Sequence, residues 1–403
     1  MLILVMNGGS SSLKYTLFEM DHETVLFSGE IDRVGLAGSR HVFRSAGRPD
    51  FVRDVPIKDQ GEAMDEALAT LTADGPLASL VDEIKAVAHR VGHGGRYRDA
   101  VRVDSDVIDE IRRMTPMIPL HHPAMIQEIL ECRERMPHAK HIAVFDTWFH
   151  ATIPDEAAIY GLPYRYFEER GYKRTGFHGN SHAYVAGKAA EYLNRPIEEL
   201  RIITCHLGNG CSLAAVEYGK SIDTTLGMTA TSGLIMGTRA GDVDCGLIPI
   251  IMKEDGLSPD DMTNLLAKES GIAGISGVGR DMRDVEAAAA AGNERAVLAV
   301  DAFCYQVKRA MGSMLAVLGG CDCLVFCGGI GANSATVRTK TLLGTSRLGF
   351  VLDPEANAAG RPTAADPVAD LSAAESRVTI LAVFTFEELM MARQCLRVMD
   401  GAA

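Results

Sequence analysis

The apolar positions form short unbroken runs separated by glycine-rich breaks, with longer stretches of helical period between them. Residues 2–5 are the first such run and read as a buried strand. Met6-Asn7-Gly8-Gly9-Ser10-Ser11-Ser12-Leu13-Lys14 follows, and Tyr15, Leu17 and Phe18 then restart strand character. Two strands joined by Asn, Gly and Ser predict a hairpin whose glycines are free to take φ > 0. Residues 60–73 are apolar at Ala63, Ala67, Leu68 and Leu71, the spacing of a helix. A strand over 84–88, a helix over 124–135 and a strand over 141–145 come next. Residues 154–172 are aromatic and irregular, a boundary region. Beyond them the pattern predicts a helix over 183–193, a strand over 201–205, a long amphipathic helix over 297–318, strands over 323–327 and 379–383, and a final helix. At 403 residues the chain exceeds one core, so two domains are expected.

The breaks carry the chemistry. In the first, three hydroxyls, an amide and the Lys14 ammonium converge on a few residues, a loop able to cradle phosphate oxygens; the plain alternative is a polar hairpin without a ligand. Arg90, before a glycine-rich bend, and Asp146, at a strand end, join Asn7 in following apolar strands, and in α/β proteins ligands sit outside such carboxyl ends. Arg90 can pair with a carboxylate or phosphate, or simply form a surface ion pair. The opening hairpin has an echo: His206-Leu207-Gly208-Asn209-Gly210-Cys211-Ser212-Leu213 follows a strand, and Ser212-Leu213 superposes on Ser12-Leu13 at an offset of 200. Two such hairpins, one per domain, would face each other across a cleft. Arg239, in a second glycine-rich loop, can stabilise charge on a phosphoryl group in transfer. Gly328-Gly329-Ile330-Gly331-Ala332-Asn333 closes the strand over 323–327 and lets backbone approach a nucleotide, although neither the dinucleotide fingerprint nor the Walker A pattern is completed.

Composition narrows the class. A net charge of −13 argues against a nucleic-acid surface, so an anionic substrate must be held by a few local cations. No apolar run reaches the ~18 residues of a membrane span, and the first apolar stretch lacks the basic flank of a signal peptide. The nine cysteines form no regular framework and read as buried thiols of a reducing cytoplasm, those at 321, 323 and 327 as core thiols rather than metal ligands.

In collinear order over nearly the whole length, the chain resembles the acetate kinases, within the superfamily of sugar kinases, actin and the heat-shock chaperone ATPases. The resemblance rests on Asn7-x-Gly9-Ser10-Ser11-Ser12-x-Lys14, His89-Arg90-Val91, Pro119-Leu120-His121, Phe145-Asp146-Thr147 and Gly176-Phe177-His178-Gly179. It continues through His206-Leu207-Gly208-Asn209-Gly210, Met236-Gly237-Thr238-Arg239, Asp281-Met282-Arg283, Gly329-Ile330-Gly331 and Glu387-Glu388-Leu389. It implies an α/β fold of duplicated ribonuclease-H-like domains with an interdomain cleft, the first over 1–150 plus 385–403 and the second over 151–384. It also implies a cytoplasmic homodimer, ATP or ADP, Mg²⁺ or Mn²⁺, and phosphoryl transfer to a short carboxylic acid.

By the same resemblance Asn7 and Glu387 would hold the metal. Ser10, Ser12, Lys14, the run His206, Leu207, Gly208, Asn209 and Gly210, the run Asp281, Met282 and Arg283, and the run Gly329, Ile330, Gly331, Ala332 and Asn333 would bind nucleotide. Arg90 would clamp the substrate carboxylate, His178 and Arg239 would stabilise the transition state, and Asp146 would be the essential acid. A carboxylate nucleophile has a pKa of ~4 and no proton to give up, so Asp146 is expected to orient an arginine or the metal shell rather than act as a base. Gly92, Leu120, Phe177 and Ala230 would wall the acyl pocket. Gly92 and Ala230 stand where family members usually carry valine and proline, which predicts a roomier pocket open to propionate or longer acids. Trp148, in place of a small residue, is positioned in the motif to refill that room. A nucleotide-driven actin-like protein without catalysis is the reading from another class.

Overall fold

The computed structural model describes residues 1–8, 12–36, 38–45, 49–73, 80–119 and 121–401. The chain divides into two compact units, Met1–Trp148 with Glu387–Ala403, and Phe149–Phe386.

The first unit is built on a sheet of eight strands: β1 (Leu2–Gly8), β2 (Ser12–Glu19), β3 (Thr24–Asp32), β4 (Arg40–Ser45), β5 (Phe51–Asp54), β6 (Ala86–Val91), β7 (Val101–Arg102) and β8 (Lys140–Phe145). Their order is β5-β4-β3-β2-β1-β6-β8-β7. β1, β2 and β3 form an antiparallel meander, while β6 lies parallel to β1, and β8 parallel to β6. The helices α1 (Gln60–Ala73) and α2 (His122–Arg135) pack on each other, α2 also against β1 and β6. The C-terminal helix, Glu387–Met399, packs against β1, β6 and β8. Ile3, Leu4, Val5 and Met6 are all buried, as an uninterrupted apolar run demands of a strand covered on both faces.

The second unit holds six strands, β9 (Arg201–Leu207), β10 (Cys211–Glu217), β11 (Lys220–Thr224), β12 (Cys323–Cys327), β13 (Val368–Asp370) and β14 (Thr379–Val383), in the order β11-β10-β9-β12-β14-β13. Here too an antiparallel meander, β9-β10-β11, continues into parallel β12 and β14. In each unit the first strand lies between the second and a parallel strand, β6 or β12, and a further parallel strand, β8 or β14, lies outside that one. That is the ribonuclease-H-like arrangement, present twice. The helix α3 (Gly179–Leu193) packs on β9, β12 and β14, and α5 (Glu294–Leu318), after α4 (Met282–Ala290), packs on β9, β10 and β11.

Several boundaries differ from those predicted. β6 runs through Val91, so Arg90 sits inside a strand rather than beyond one, and β9 runs through Leu207 and contains His206. The glycine run after β12 is not a loop but a short helix, α6 (Gly328–Asn333). Its first residue needs glycine: Gly328 has φ 75°, and a Cβ there would stand 2.6 Å from the Leu207 carbonyl oxygen. The offset of 200 also fails in detail. Gly8 pairs with Leu13 and Leu207 with Cys211 at the two turns, so the equivalent strands are shifted by 199 and 198, and Lys14 corresponds to Ser212.

All nine cysteines are free thiols; Cys245 is exposed, Cys321 half-buried and the others buried. Among the described residues no helix is long and apolar enough to cross a membrane.

Candidate active site

In the first unit the parallel strands bring Asn7, Arg90 and Asp146 together. Arg90 Nε donates to both Asp146 carboxylate oxygens at 3.0 and 3.2 Å, its Nη2 to Asp146 Oδ2 at 2.8 Å, and its Nη1 to Asn7 Oδ1 at 3.3 Å. The Asp146 side chain is 5% exposed and that of Arg90 24%, so Asp146 fixes the fork from the inside while part of the guanidinium stays exposed. Burial opposes the Arg90 charge, but Asp146, Glu387 and Glu388 outweigh it and hold the guanidinium above its ordinary pKa. Burial raises Glu387, with Asp146 adding and Arg90 and Lys14 opposing, and it raises Glu388, with Glu387 adding. Lys14 forms an ion pair with Glu30 at 2.8 Å. Asn7, Glu387 and Glu388 are hard oxygen donors, and carboxyls held above their usual range mark negative charge that a small divalent cation would relieve.

In the second unit the β9–β10 turn is the hub. It is closed by Gly208 N–H donating to the Gly210 carbonyl at 3.0 Å and anchored by Gly237 N–H on the Asn209 carbonyl at 3.1 Å. His178, in the left-handed region at φ 60°, precedes α3. A Cβ on Gly210 would stand 3.2 Å from His178 Nε2 and 3.7 Å from Arg239 Nη1, so glycine here lets both reach the turn. Behind them runs a hydroxyl–imidazole network. Ser212 Oγ lies 2.8 Å from both His178 Nδ1 and His182 Nε2, His182 Nδ1 lies 2.7 Å from Thr204 Oγ1, and Ser181 Oγ lies 2.7 Å from His206 Nδ1. The His178 and His206 rings stack with centroids 4.3 Å apart. Burial, with His150 and His206 adding, pushes His182 well below its ordinary value, so this ring is neutral. Arg239 Nη1 also donates to the Ala230 carbonyl at 2.9 Å.

Beside the turn opens a hollow of about 910 Å³ lined in part by Gly208, Asn209, Asp281, Met282, Arg283, Gly329, Ile330 and Asn333. Asp281 caps α4 and pairs with Arg283 at 2.6 Å; that pairing, with the Arg283 N–H, lowers its carboxyl to about 2. Arg280, Glu286, Ser334 and Arg361 line the same hollow and were not anticipated. Arg280 adjoins a motif, whereas Arg361 follows a short helix with no local signal in its neighbours.

Other predicted positions fall elsewhere. The Leu207 side chain is buried in the core, and Gly331 and Ala332 offer their carbonyls to the buried Arg338 at 2.9 and 2.8 Å, behind the hollow. Phe177 is buried, its carbonyl accepting from His150 Nε2 at 2.9 Å. The Ser12 carbonyl accepts from Gln60 at 3.3 Å. Gly92 opens no void: a Cβ there would stand 2.8 Å from Ile118 Cδ1 and 3.6 Å from His122 Nε2, so those side chains fill the room expected of it. Ser10 and Leu120 lie outside the described residues.

The sequence pattern of the acetokinase family matches residues 2–393. The chain belongs to the acetokinase family. Among its relatives in that family, an acetate kinase of Caldicellulosiruptor bescii is 45% identical over 402 residues, covering 99% of this chain and 100% of the relative. Two solved family structures superpose over nearly the full length. The acetate kinase of Porphyromonas gingivalis has a TM-score of 0.89 at 37% identity, covering 99% of both chains. A propionate kinase from Francisella tularensis has a TM-score of 0.90 at 34% identity, covering 98% of this chain and 99% of that one.

Proposed function

We propose that the chain transfers the γ-phosphoryl group of ATP reversibly to acetate or a slightly longer carboxylate, giving an acyl phosphate and ADP. The observation that carries this reading is Arg90: a guanidinium held by Asp146 through Nε and Nη2, touched by Asn7 at Nη1 and still 24% exposed, is placed to grip a second carboxylate. Full-length likeness to acetate kinases supports the same chemistry.

In this reading the hollow beside Gly208 and Gly329, which Arg283 and Arg361 also line, takes the nucleotide, with Lys14 a phosphate cation. Arg90 binds the substrate carboxylate, which attacks as it stands, and Asp146 holds the guanidinium in register. His178 and Arg239 neutralise charge that develops on the phosphoryl oxygens, the main requirement of a loose transfer. Asn7 and Glu387, with Glu388 beside them, would hold Mg²⁺ or Mn²⁺. That ion, when bound, supplies charge neutralisation and alignment of the polyphosphate. The free thiols agree with a cytoplasmic setting.

A homodimer belongs to the proposal as well. The helix Leu247–Glu254 begins Leu-Ile-Pro-Ile-Ile-Met, yet none of its residues is buried, which suits a surface that a second copy covers. Sedimentation velocity of the purified chain should return twice the chain mass.

The deciding assay is hydroxamate trapping of the acyl phosphate from ATP with acetate, propionate and butyrate, with and without Mg²⁺. Product with acetate or propionate, lost on chelation, is expected. Nucleotide binding without product from any acid would instead favour a non-catalytic actin-like protein.

A further inference from the structure

On the other face of β6 from Arg90 lies a buried cluster that the phosphoryl-transfer proposal does not use. Successive side chains of a strand point to opposite faces, so His89 turns toward α2. Its Nδ1 lies 2.9 Å from Glu128 Oε1, and its Nε2 lies 2.9 Å from His141 Nδ1 on β8. His141 Nε2 lies 3.0 Å from the Met136 carbonyl oxygen. A ring nitrogen of each histidine and the Cys132 sulfur all lie within 4.8 Å of one another. All four side chains are buried, and Glu128 Oε2 has no hydrogen-bond partner among the described residues.

Counting protons shows what the cluster requires. The Met136 carbonyl can only accept, so His141 Nε2 carries a hydrogen. A Glu128 carboxylate likewise takes a hydrogen from His89 Nδ1. The two neutral rings then turn bare nitrogens toward each other across 2.9 Å. One positive centre must lie between them, a proton shared along the Glu128–His89–His141 chain or a metal ion. The Cys132 sulfur gives a metal ion a third donor, which a shared proton does not need.

We propose that His89 Nε2, His141 Nδ1 and Cys132 Sγ form a site for one borderline-soft divalent cation of the Zn²⁺ class, tying α2 to β6 and β8. Two nitrogens and a thiolate select such an ion over Mg²⁺, which prefers oxygen. The outer contacts are those of ligating histidines, each donating its far ring N–H to a carboxylate or backbone carbonyl. Bonds of about 2.0–2.1 Å to nitrogen and about 2.3 Å to sulfur set the nitrogens roughly 3.3 Å apart and the sulfur about 3.6 Å from each, so the rings must open by a few tenths of an ångström and Cys132 must close in from its place within 4.8 Å. Binding displaces the shared proton and the Cys132 thiol proton to solvent. The Glu128 carboxylate, 2.9 Å from His89 Nδ1 through Oε1, answers the added positive charge.

The test uses the full chain, stripped with a chelator and titrated with Co²⁺ and then Zn²⁺. With excess Mg²⁺ present to fill the oxygen site of Asn7 and Glu387, one equivalent should bind. The cobalt form should show thiolate-to-metal charge transfer in the near ultraviolet and the intense visible bands of a tetrahedral ion. Cys132→Ala should abolish the charge-transfer band, Cys245→Ala should keep it, and Glu128→Ala should weaken Zn²⁺ binding by about 10–100-fold. Should Cys132→Ala fail to fold, X-ray absorption of the wild-type zinc form decides, with one sulfur at about 2.3 Å beside nitrogen scatterers expected. No bound equivalent, a spectrum unchanged in Cys132→Ala, or a shell of oxygen and nitrogen alone would each overturn the proposal.

Discussion

One pairing inside its turn, the β1–β2 hairpin sets Asn7 opposite Lys14; at the corresponding place the β9–β10 hairpin sets His206 opposite Ser212. The backbones follow one plan, and the chemistry divides. Around the first hairpin the polar groups are charged: Lys14 with Glu30, Arg90 with Asp146, and the partly buried Glu387 and Glu388. Around the second they are hydroxyls and imidazoles, with Arg239 reaching the turn and an open hollow beside it. A duplicated scaffold thus fixes where strand ends deliver side chains and leaves each copy free to choose them. In the proposed reaction the first copy would serve small anions and a hard cation, the second a nucleotide and a moving charge.

The sharpest way to break this division is Arg239→Ala. If Arg239 serves the charge in transfer, kcat falls on the order of 10²–10³ with the KM for ATP changed by less than about threefold. A loss confined to the nucleotide KM would return Arg239 to simple binding. In the first unit the parallel change is Arg90→Lys. A point charge cannot hold Asp146 and a substrate carboxylate with one fork, so the KM for the acid should rise roughly 10- to 100-fold while that for ATP holds. An unchanged acid KM would remove Arg90 from the carboxylate.

A smaller effect compares the units through their buried histidines. Burial, with His122 and Arg113 adding, pushes His93 down to about 4, and His182 also lies well below its ordinary value. Each stays neutral in the fold and takes a proton at about 6.5 when unfolded. Their stability is therefore full above pH ~6.5 and declines as pH falls toward the folded values, by about 1.4 kcal/mol per pH unit for each group at most. Urea midpoints between pH 7 and 4.5 should show the decline, and His93→Gln should flatten it in the first unit. A pH-independent midpoint would mean that both rings protonate in place.

Much of this was legible before any coordinates. Strand runs such as residues 2–5 and 323–327 are apolar throughout because both faces are covered, which is the clearest signal a short strand can give. The residues converging on Gly210 were readable from their motifs, since His178 and Arg239 sit in glycine-rich context. Boundaries were less so. Nothing local tells that the strand carrying Arg90 continues to Val91, because pairing with β8 sets that end. Arg361 and the His141–Cys132 proximity depend on tertiary placement alone, and neither leaves a trace in its own neighbourhood. The echo between hairpins was visible, but its register was not, because loop length is free to vary while pairing is not.

The smallest expected effect concerns the acyl pocket. Glycine at position 92 suggested space for a longer acid, and the structure fills that space with Ile118 Cδ1. Because the obstacle is the tip of a flexible side chain, Gly92→Ala should cost about 1 kcal/mol or less in stability. It should also shift the ratio of kcat/KM for propionate over acetate by less than about threefold, since an added methyl displaces Ile118 rather than substrate. A buried methylene is worth roughly 10-fold or more in discrimination where substrate itself meets the wall. A tenfold fall in that ratio would therefore show Ile118 retracted and the room beside Gly92 open to the acid.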